Sequence, residues 1–381
     1  KMELPREGFR LLWITEFPFF EWDEEAGAYA AMDERSRALY RRRLAEIARR
    51  SGMTELECAR RVLALAQEHA GDGKRGHVGW WILAEPLGRR SSTSTGALYA
   101  LGALALAAAV SAAAGFISGG VWTALLTLLP ALEIAKNALD ALLLRVIPPR
   151  ILPRMELAGG VPDEGRTVCA VSAVLASAKD ADKLARRLET FRCAARDCGG
   201  NLLFALLADL PEAKSETMPA DAGSVSAARA AVDALNEKYG GGFYLLIRKR
   251  RENARDGVWT PHERKRGALM ALAALCSGMY SELECLSGDA EALARARYIL
   301  ALDADTTLLP GAARELIGAM LHPLNRAVID PRTETVASGR GIIHPRVSVE
   351  LAASERTRFA RTVAGPGGVD PYGSVCGEVW M

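Results

Sequence analysis

An unbroken stretch of 42 residues, 91–132, carries no charged side chain, and a soluble core helix needs no such run. Within it, residues 97–117 are apolar apart from Tyr99, Gly102, Ser111 and Gly115. At about 1.5 Å per residue that segment reaches across a hydrocarbon layer about 30 Å thick, so it reads as a transmembrane helix. Ser118-Gly119-Gly120 supplies a turn. Residues 121–132 then begin a second apolar segment, with Trp122 suited to the water interface. It runs only 12 residues before Glu133, Lys136 and Asp140 appear, and so spans obliquely or lies in the interface. Arg89 and Arg90 precede the pair and Arg145, Arg150 and Arg154 follow it. A helical hairpin in the lipid bilayer with both flanks cytoplasmic satisfies that charge pattern. The competing reading is a buried helical pair in a large soluble core.

A chain of 381 residues exceeds what one compact core usually supports, so more than one unit is expected. Residues 1–90 read as an N-terminal helical region on the cytoplasmic side. Two amphipathic helices are predicted over 33–70, where Tyr40-Arg41-Arg42-Arg43 sits beside Leu44, Ile47 and Ala48 at helical spacing. The basic run is a solvated helix face or, alternatively, a contact for anionic lipid. Residues 91–149 hold the hairpin. After Pro148-Pro149 and Gly159-Gly160 the pattern changes to short apolar runs alternating with helical segments, which predicts an α/β domain over 150–381. Strands are expected at 167–175, 202–207, 243–247 and 297–302, and helices at 180–195, 224–239 and 263–276.

Lysine and arginine total 48 against 46 aspartates and glutamates, too even a balance for the electrostatic footprint of a nucleic-acid binder. No nucleic-acid partner is expected. Seven cysteines without a C-x-x-C pair signal neither a disulfide framework nor a zinc site. The chain opens on Lys1 and stops at Met381, and reads as part of a longer protein.

The sharpest chemical signal is Tyr298-Ile299-Leu300-Ala301-Leu302-Asp303-Ala304-Asp305-Thr306, a strand expected to be buried that delivers two carboxylates at its C-terminal end. Ligands of open α/β sheets bind at that edge. Two such carboxylates hold Mg²⁺ or Mn²⁺ while a diphosphate completes the coordination. Upstream, Glu263-Arg264-Lys265-Arg266-Gly267 marks a helix start whose cations and free N–H groups suit phosphate oxygens. His262 stands beside it. Asp209 ends the second strand, where it can accept from a nucleoside base or ribose, or serve as a cap or turn residue. Arg248-Lys249-Arg250-Arg251 follows the third strand and reads as an exposed loop or an interface, without a catalytic role. Asp303-Ala304-Asp305-Thr306-Thr307 also matches the D-x-D-x-T loop of haloacid-dehalogenase-type phosphatases, although there the motif follows the first strand of the core.

Ordered stretches along nearly the whole chain resemble the glycosyltransferase region of cyclic β-1,2-glucan synthases. They are Gly76-His77-Val78-Gly79-Trp80-Trp81, Leu152-Pro153-Arg154-Met155, Gly159-Gly160-Val161-Pro162-Asp163-Glu164, Trp259 with Glu263 to Gly267, and Leu302 to Thr306. His322-Pro323-Leu324-Asn325-Arg326, Pro345-Arg346-Val347 and Gly365-Pro366-Gly367-Gly368-Val369-Asp370-Pro371-Tyr372 complete the series. The resemblance implies a Rossmann-like GT-A fold and a UDP-glucose donor. It also implies a divalent metal and an inverting transfer onto a growing glucan acceptor, at the cytoplasmic face of a bacterial inner membrane. By that match Asp303 and Asp305 bind the metal and UDP, while Asp209, Lys265 and Arg266 contact the nucleotide sugar. The general base is expected beyond residue 381. Val171-Ser172-Ala173 departs from the family, which is expected to carry a Pro-Thr pair there. A membrane-anchored binding subunit without catalysis is the remaining alternative.

Overall fold

The computed structural model describes residues 28–85, 95–146, 151–345, 347 and 349–363. Arg89, Arg90, Arg150, Arg346 and the Gly365 to Tyr372 stretch lie outside the described residues. The chain divides into two compact units, Arg154–Val328 and the described residues on either side of it.

In the flanking unit, α1 (Glu34–Ser51) starts where the Asp33 side chain accepts from the Ser36 amide at 2.9 Å and ends at Gly52, whose φ of 67° suits a residue without a Cβ. Tyr40, Leu44 and Ala48 recur every fourth residue and are buried. Arg41 pairs with Glu34 and Arg43 with Glu46 on the same helix, which makes the basic run a solvated face. α2 (Glu55–Glu68) opens with a reciprocal Thr54–Glu57 capping box. The Gly76 to Trp81 stretch then packs tightly. His77 is buried and its Nδ1 accepts from the Gly79 amide at 3.0 Å, while a Cβ on Gly79 would collide with the Tyr40 ring. Burial drives the His77 pKa down to about 4, so this ring is a neutral packing residue at physiological pH.

Helices α3 (Thr95–Ser118) and α4 (Val121–Val146) form an antiparallel hairpin around Gly119. Small residues let the backbones approach. Ala107, Ala131 and Ala135 are buried together, and a Cβ on Gly115 would meet that of Ala124. At the open end the Tyr99 hydroxyl donates to Asp140 at 2.5 Å and Lys136 pairs with the same carboxylate at 3.0 Å. The second apolar segment is therefore the first half of a 26-residue helix, not a 12-residue piece: the polar residues from Glu133 onward continue it by pairing within the hairpin. Phe116, Ile117, Trp122, Leu126 and Leu129 are exposed. Among the described residues, Gly96–Ser118 is the one helix long and apolar enough to cross a membrane, with a mean hydropathy of 2.1.

Arg154–Val328 is a three-layer α/β unit. Its elements run β1 (Thr167–Val174), α5 (Ala178–Ala194), β2 (Leu202–Asp209), α6 (Asp221–Tyr239), β3 (Phe243–Arg248) and the ribbon β4 (Arg251–Asn253) and β5 (Val258–Thr260). There follow α7 (Arg264–Cys276), β6 (Leu283–Ser287), α8 (Ala290–Leu293), β7 (Tyr298–Asp303) and α9 (Ala312–Leu321). The main sheet has the order β6-β3-β2-β1-β7. β1, β2, β3 and β7 are parallel and β6 is antiparallel to β3. Alternate residues face opposite layers. Cys169, Val171, Phe204, Leu206 and Leu245 pack against α5, α6 and α9, whereas Val168, Ala170, Leu203, Leu207 and Leu246 pack against α7 and α8. With both faces covered, all eight residues of β2 are buried, which is why the strand reads as a continuous apolar run. β7 differs from expectation. It is one of the two edge strands and only partly buried, because it has a ladder partner on one side alone.

Candidate functional site

The chain lays β1, β2 and β3 outward in one direction and then returns to place β7 on the other side of β1. That reversal sets the C-terminal ends of β1 and β7 side by side, at the edge where open α/β sheets take ligands. In the ladders Ser172 stands opposite Asp303, Val174 opposite Asp209, and Asp209 opposite Arg248. Asp209, Arg248 and Asp303, all singled out in the sequence, thus share one sheet edge. The departing Val171-Ser172-Ala173 is the end of β1.

Asp303 closes β7 with its side chain 57% exposed and ion-paired to the Lys265 ammonium. Its carbonyl accepts from the Thr306 amide at 3.0 Å, forming the turn that carries the exposed Asp305. Arg187 of α5 donates to the Thr306 carbonyl and braces that turn. Lys265 is the second residue of α7, whose start has no side-chain cap, so its first N–H groups are left without a side-chain acceptor. Arg266 is instead paired with Glu263 at 2.7 Å. Asp303 and Asp305 offer two exposed carboxylates on one turn, and among the described residues no group of three or more His, Cys, Asp or Glu could hold a metal. Such a donor set suits Mg²⁺ or Mn²⁺, which keep waters and complete their shell with substrate phosphate.

Asp209 is buried at the end of β2, and both its oxygens accept from the Arg248 guanidinium, at 3.0 Å from Nε and 2.7 Å from Nη2. Burial pushes its carboxyl above the ordinary value, against the pull of Arg248. A cleft of about 200 Å³ opens beside it, lined by Val174, Asp209, Pro211, Thr260 and Arg264 among others. A second hollow of about 360 Å³ adjoins it along Glu212, Asp256, Thr260 and Arg264.

The Arg248-Lys249-Arg250-Arg251 run corrects the sequence reading of an exposed loop. Arg248 and Arg250 are buried while Lys249 and Arg251 are exposed, the period of a strand. Each buried arginine has found an acid: Asp209 for Arg248, and Asp221, at 2.6 and 2.9 Å, for Arg250. Thr260 and Glu212 line the cleft without having been marked in the sequence, and Arg264 of the marked basic run lines it beside them. Other stretches behind the family resemblance are structural here. Met155 donates to the Gly318 carbonyl at 3.0 Å, and buried His322 and Asn325 close the end of α9 through the Leu324 amide and the Ala319 carbonyl.

No family model matches the chain. Over 262 residues, 68% of its length, the chain is 34% identical to the cyclic beta-(1,2)-glucan synthase NdvB of Rhizobium meliloti, and it spans 9% of that protein's length. With that identity over two thirds of its own residues, the chain belongs to the cyclic β-(1,2)-glucan synthase family.

Proposed function

We propose that this chain forms the donor-binding part of a membrane-anchored, inverting glucosyltransferase of GT-A type that uses UDP-glucose to extend a β-1,2-glucan. The observation that carries the reading is the meeting of Asp303 and Lys265 at the sheet edge beside β1, where opposite charges can grip a metal-bound diphosphate. Asp303 and Asp305 hold Mg²⁺ or Mn²⁺, which when bound neutralises the departing nucleoside diphosphate. Lys265 and the open start of α7 receive phosphate oxygens, Arg266 supplements them, and the cleft at Asp209 takes the nucleoside. The phosphatase reading has less support, since β7 follows β1, β2, β3 and β6 in the chain rather than opening the core. In calorimetry on the full chain, UDP is expected to bind with Mn²⁺ and at least tenfold more weakly without it. Metal-independent binding, or none, sinks the donor reading, and Asp303-dependent hydrolysis of p-nitrophenyl phosphate would favour the phosphatase.

Anchoring by the α3–α4 hairpin in a bacterial inner membrane, with the α/β unit cytoplasmic, is the second part of the proposal. The exposed Phe116, Ile117, Trp122, Leu126 and Leu129 support it, because a soluble helix pair would bury such residues. Cysteines introduced at positions 90 and 154 are both expected to react only from the cytoplasmic side; labelling of the two from opposite sides would rule out the hairpin.

A further inference from the structure

We infer that Arg248, held by Asp209, is a positioning residue that fixes the turn leading into α7 and so sets where Arg264 and Lys265 meet the donor's diphosphate. Three independent features of the structure converge on it. Arg248 has a side chain only 1% exposed, and beyond its two bonds to Asp209 it donates from Nη1 to the His262 carbonyl at 2.7 Å and from Nη2 to the Arg264 carbonyl at 2.8 Å. All three guanidinium nitrogens are therefore committed, two of them to backbone on either side of Glu263.

The backbone at that place is unusual. Glu263 and Arg264 are consecutive residues with left-handed φ values of 54° and 39°, and neither is glycine. Strained conformations of this kind persist only where the surroundings over-determine them. The two carbonyls that Arg248 holds bracket this pair, so the guanidinium is the surrounding group that fixes the turn. Gly267 supplies the third feature: a Cβ there would run into the His262 carbonyl and the Arg248 Nη1. Glycine in Lys265-Arg266-Gly267 is thus the residue that lets the first turn of α7 close over the clamp.

The consequence lies one residue further on. With the turn held, Arg264 lines the cleft beside Asp209 and Lys265 reaches across to Asp303. A lysine at position 248 would still neutralise Asp209, but its single ammonium lacks the planar fork that reaches both carbonyls. On this view Asp209 serves the nucleotide through Arg248 and the turn.

The inference rests on the donor reading proposed above for its ligand and on the clamp geometry for its mechanism, and the two are separable by experiment. In Arg248→Lys, amide exchange across residues 263–267 is expected to quicken at least tenfold, while exchange in β1 and α5 stays as in the wild type. UDP affinity with Mn²⁺ is expected to fall about tenfold. Arg250→Lys is the comparison: it removes an equally buried fork that holds the Pro211 and Glu216 carbonyls and Asp221, and it should leave exchange across 263–267 unchanged. Unaltered exchange at 263–267 in Arg248→Lys overturns the clamp, whatever happens to UDP. Faster exchange there with UDP affinity within twofold of the wild type overturns the positioning role. A wild-type chain that binds no UDP removes the donor reading and, with it, the ligand half of the inference.

Discussion

Replacing Asp303 and Asp305 together by alanine is expected to abolish the metal-dependent part of UDP binding, weakening it at least 100-fold, or about 3 kcal/mol. The size follows from what the two carboxylates are asked to do. A diphosphate brings two to three negative charges to a sheet edge that already carries two acids, and without a bridging cation those acids repel it. With Mg²⁺ or Mn²⁺ in place the sign of the interaction reverses, and such a bridge is worth several kcal/mol. Both side chains are exposed, so the double variant should melt close to the wild type, which separates lost binding from lost folding. The ion pair between Lys265 and Asp303 adds a check on the same site. An exposed pair is worth about 1 kcal/mol at most. Lys265→Met should therefore raise the affinity for Mn²⁺ alone by no more than about fivefold, while weakening UDP through loss of a phosphate partner. Calorimetric titrations of metal, of UDP and of both together measure each quantity. UDP binding that survives in Asp303→Ala/Asp305→Ala would reject the metal site.

Much of the α/β unit was legible because its local signals agree. The runs at 202–207 and 243–247 are continuous and apolar, as strands covered on both faces must be, and with those at 167–175 and 297–302 each became a strand within about two residues of the expected limits. Of the helices between them, α5 is amphipathic and begins near a residue that stops a strand, Ser177, which accepts from the Asp180 amide. β6 escaped because an antiparallel edge strand buries only part of itself: Leu283 and Ser287 are buried while Glu284 is exposed, a pattern too short to stand out. β4 and β5 escaped because three-residue ribbons carry no period. The carboxylates at the end of β7 and the cations at the start of α7 could be read in sequence, since each sits at an element boundary that the pattern itself marks. Their meeting could not, because Lys265 and Asp303 are brought together by the crossover that returns β7 to the side of β1. Arg248 was misread for the same reason. Four consecutive cations look solvated until the β2–β3 register sets Asp209 opposite Arg248.

That register gives the largest expected effect on stability. Asp209→Ala would leave the Arg248 guanidinium buried with only carbonyl acceptors, and removing one partner of a buried ion pair typically destabilises by about 3–5 kcal/mol. Asp209→Asn should lose less, because its amide oxygen still accepts one of the two arginine bonds. A nucleoside contact without a structural role predicts otherwise: both variants would then weaken UDP while keeping the wild-type denaturation midpoint. The double variant Asp209→Ala/Arg248→Met removes the stranded charge altogether. It is expected to regain at least about 1 kcal/mol over Asp209→Ala, the coupling that contacting residues in one network show. It should not return to the wild type, because the His262 and Arg264 carbonyls lose the donor that now satisfies them. Urea denaturation of the four proteins, followed by a probe within Arg154–Val328, tests the order wild type, double variant, Asp209→Ala from most to least stable. Additive losses, with the double variant weaker than Asp209→Ala alone, would show that Arg248 is stabilised by something other than Asp209.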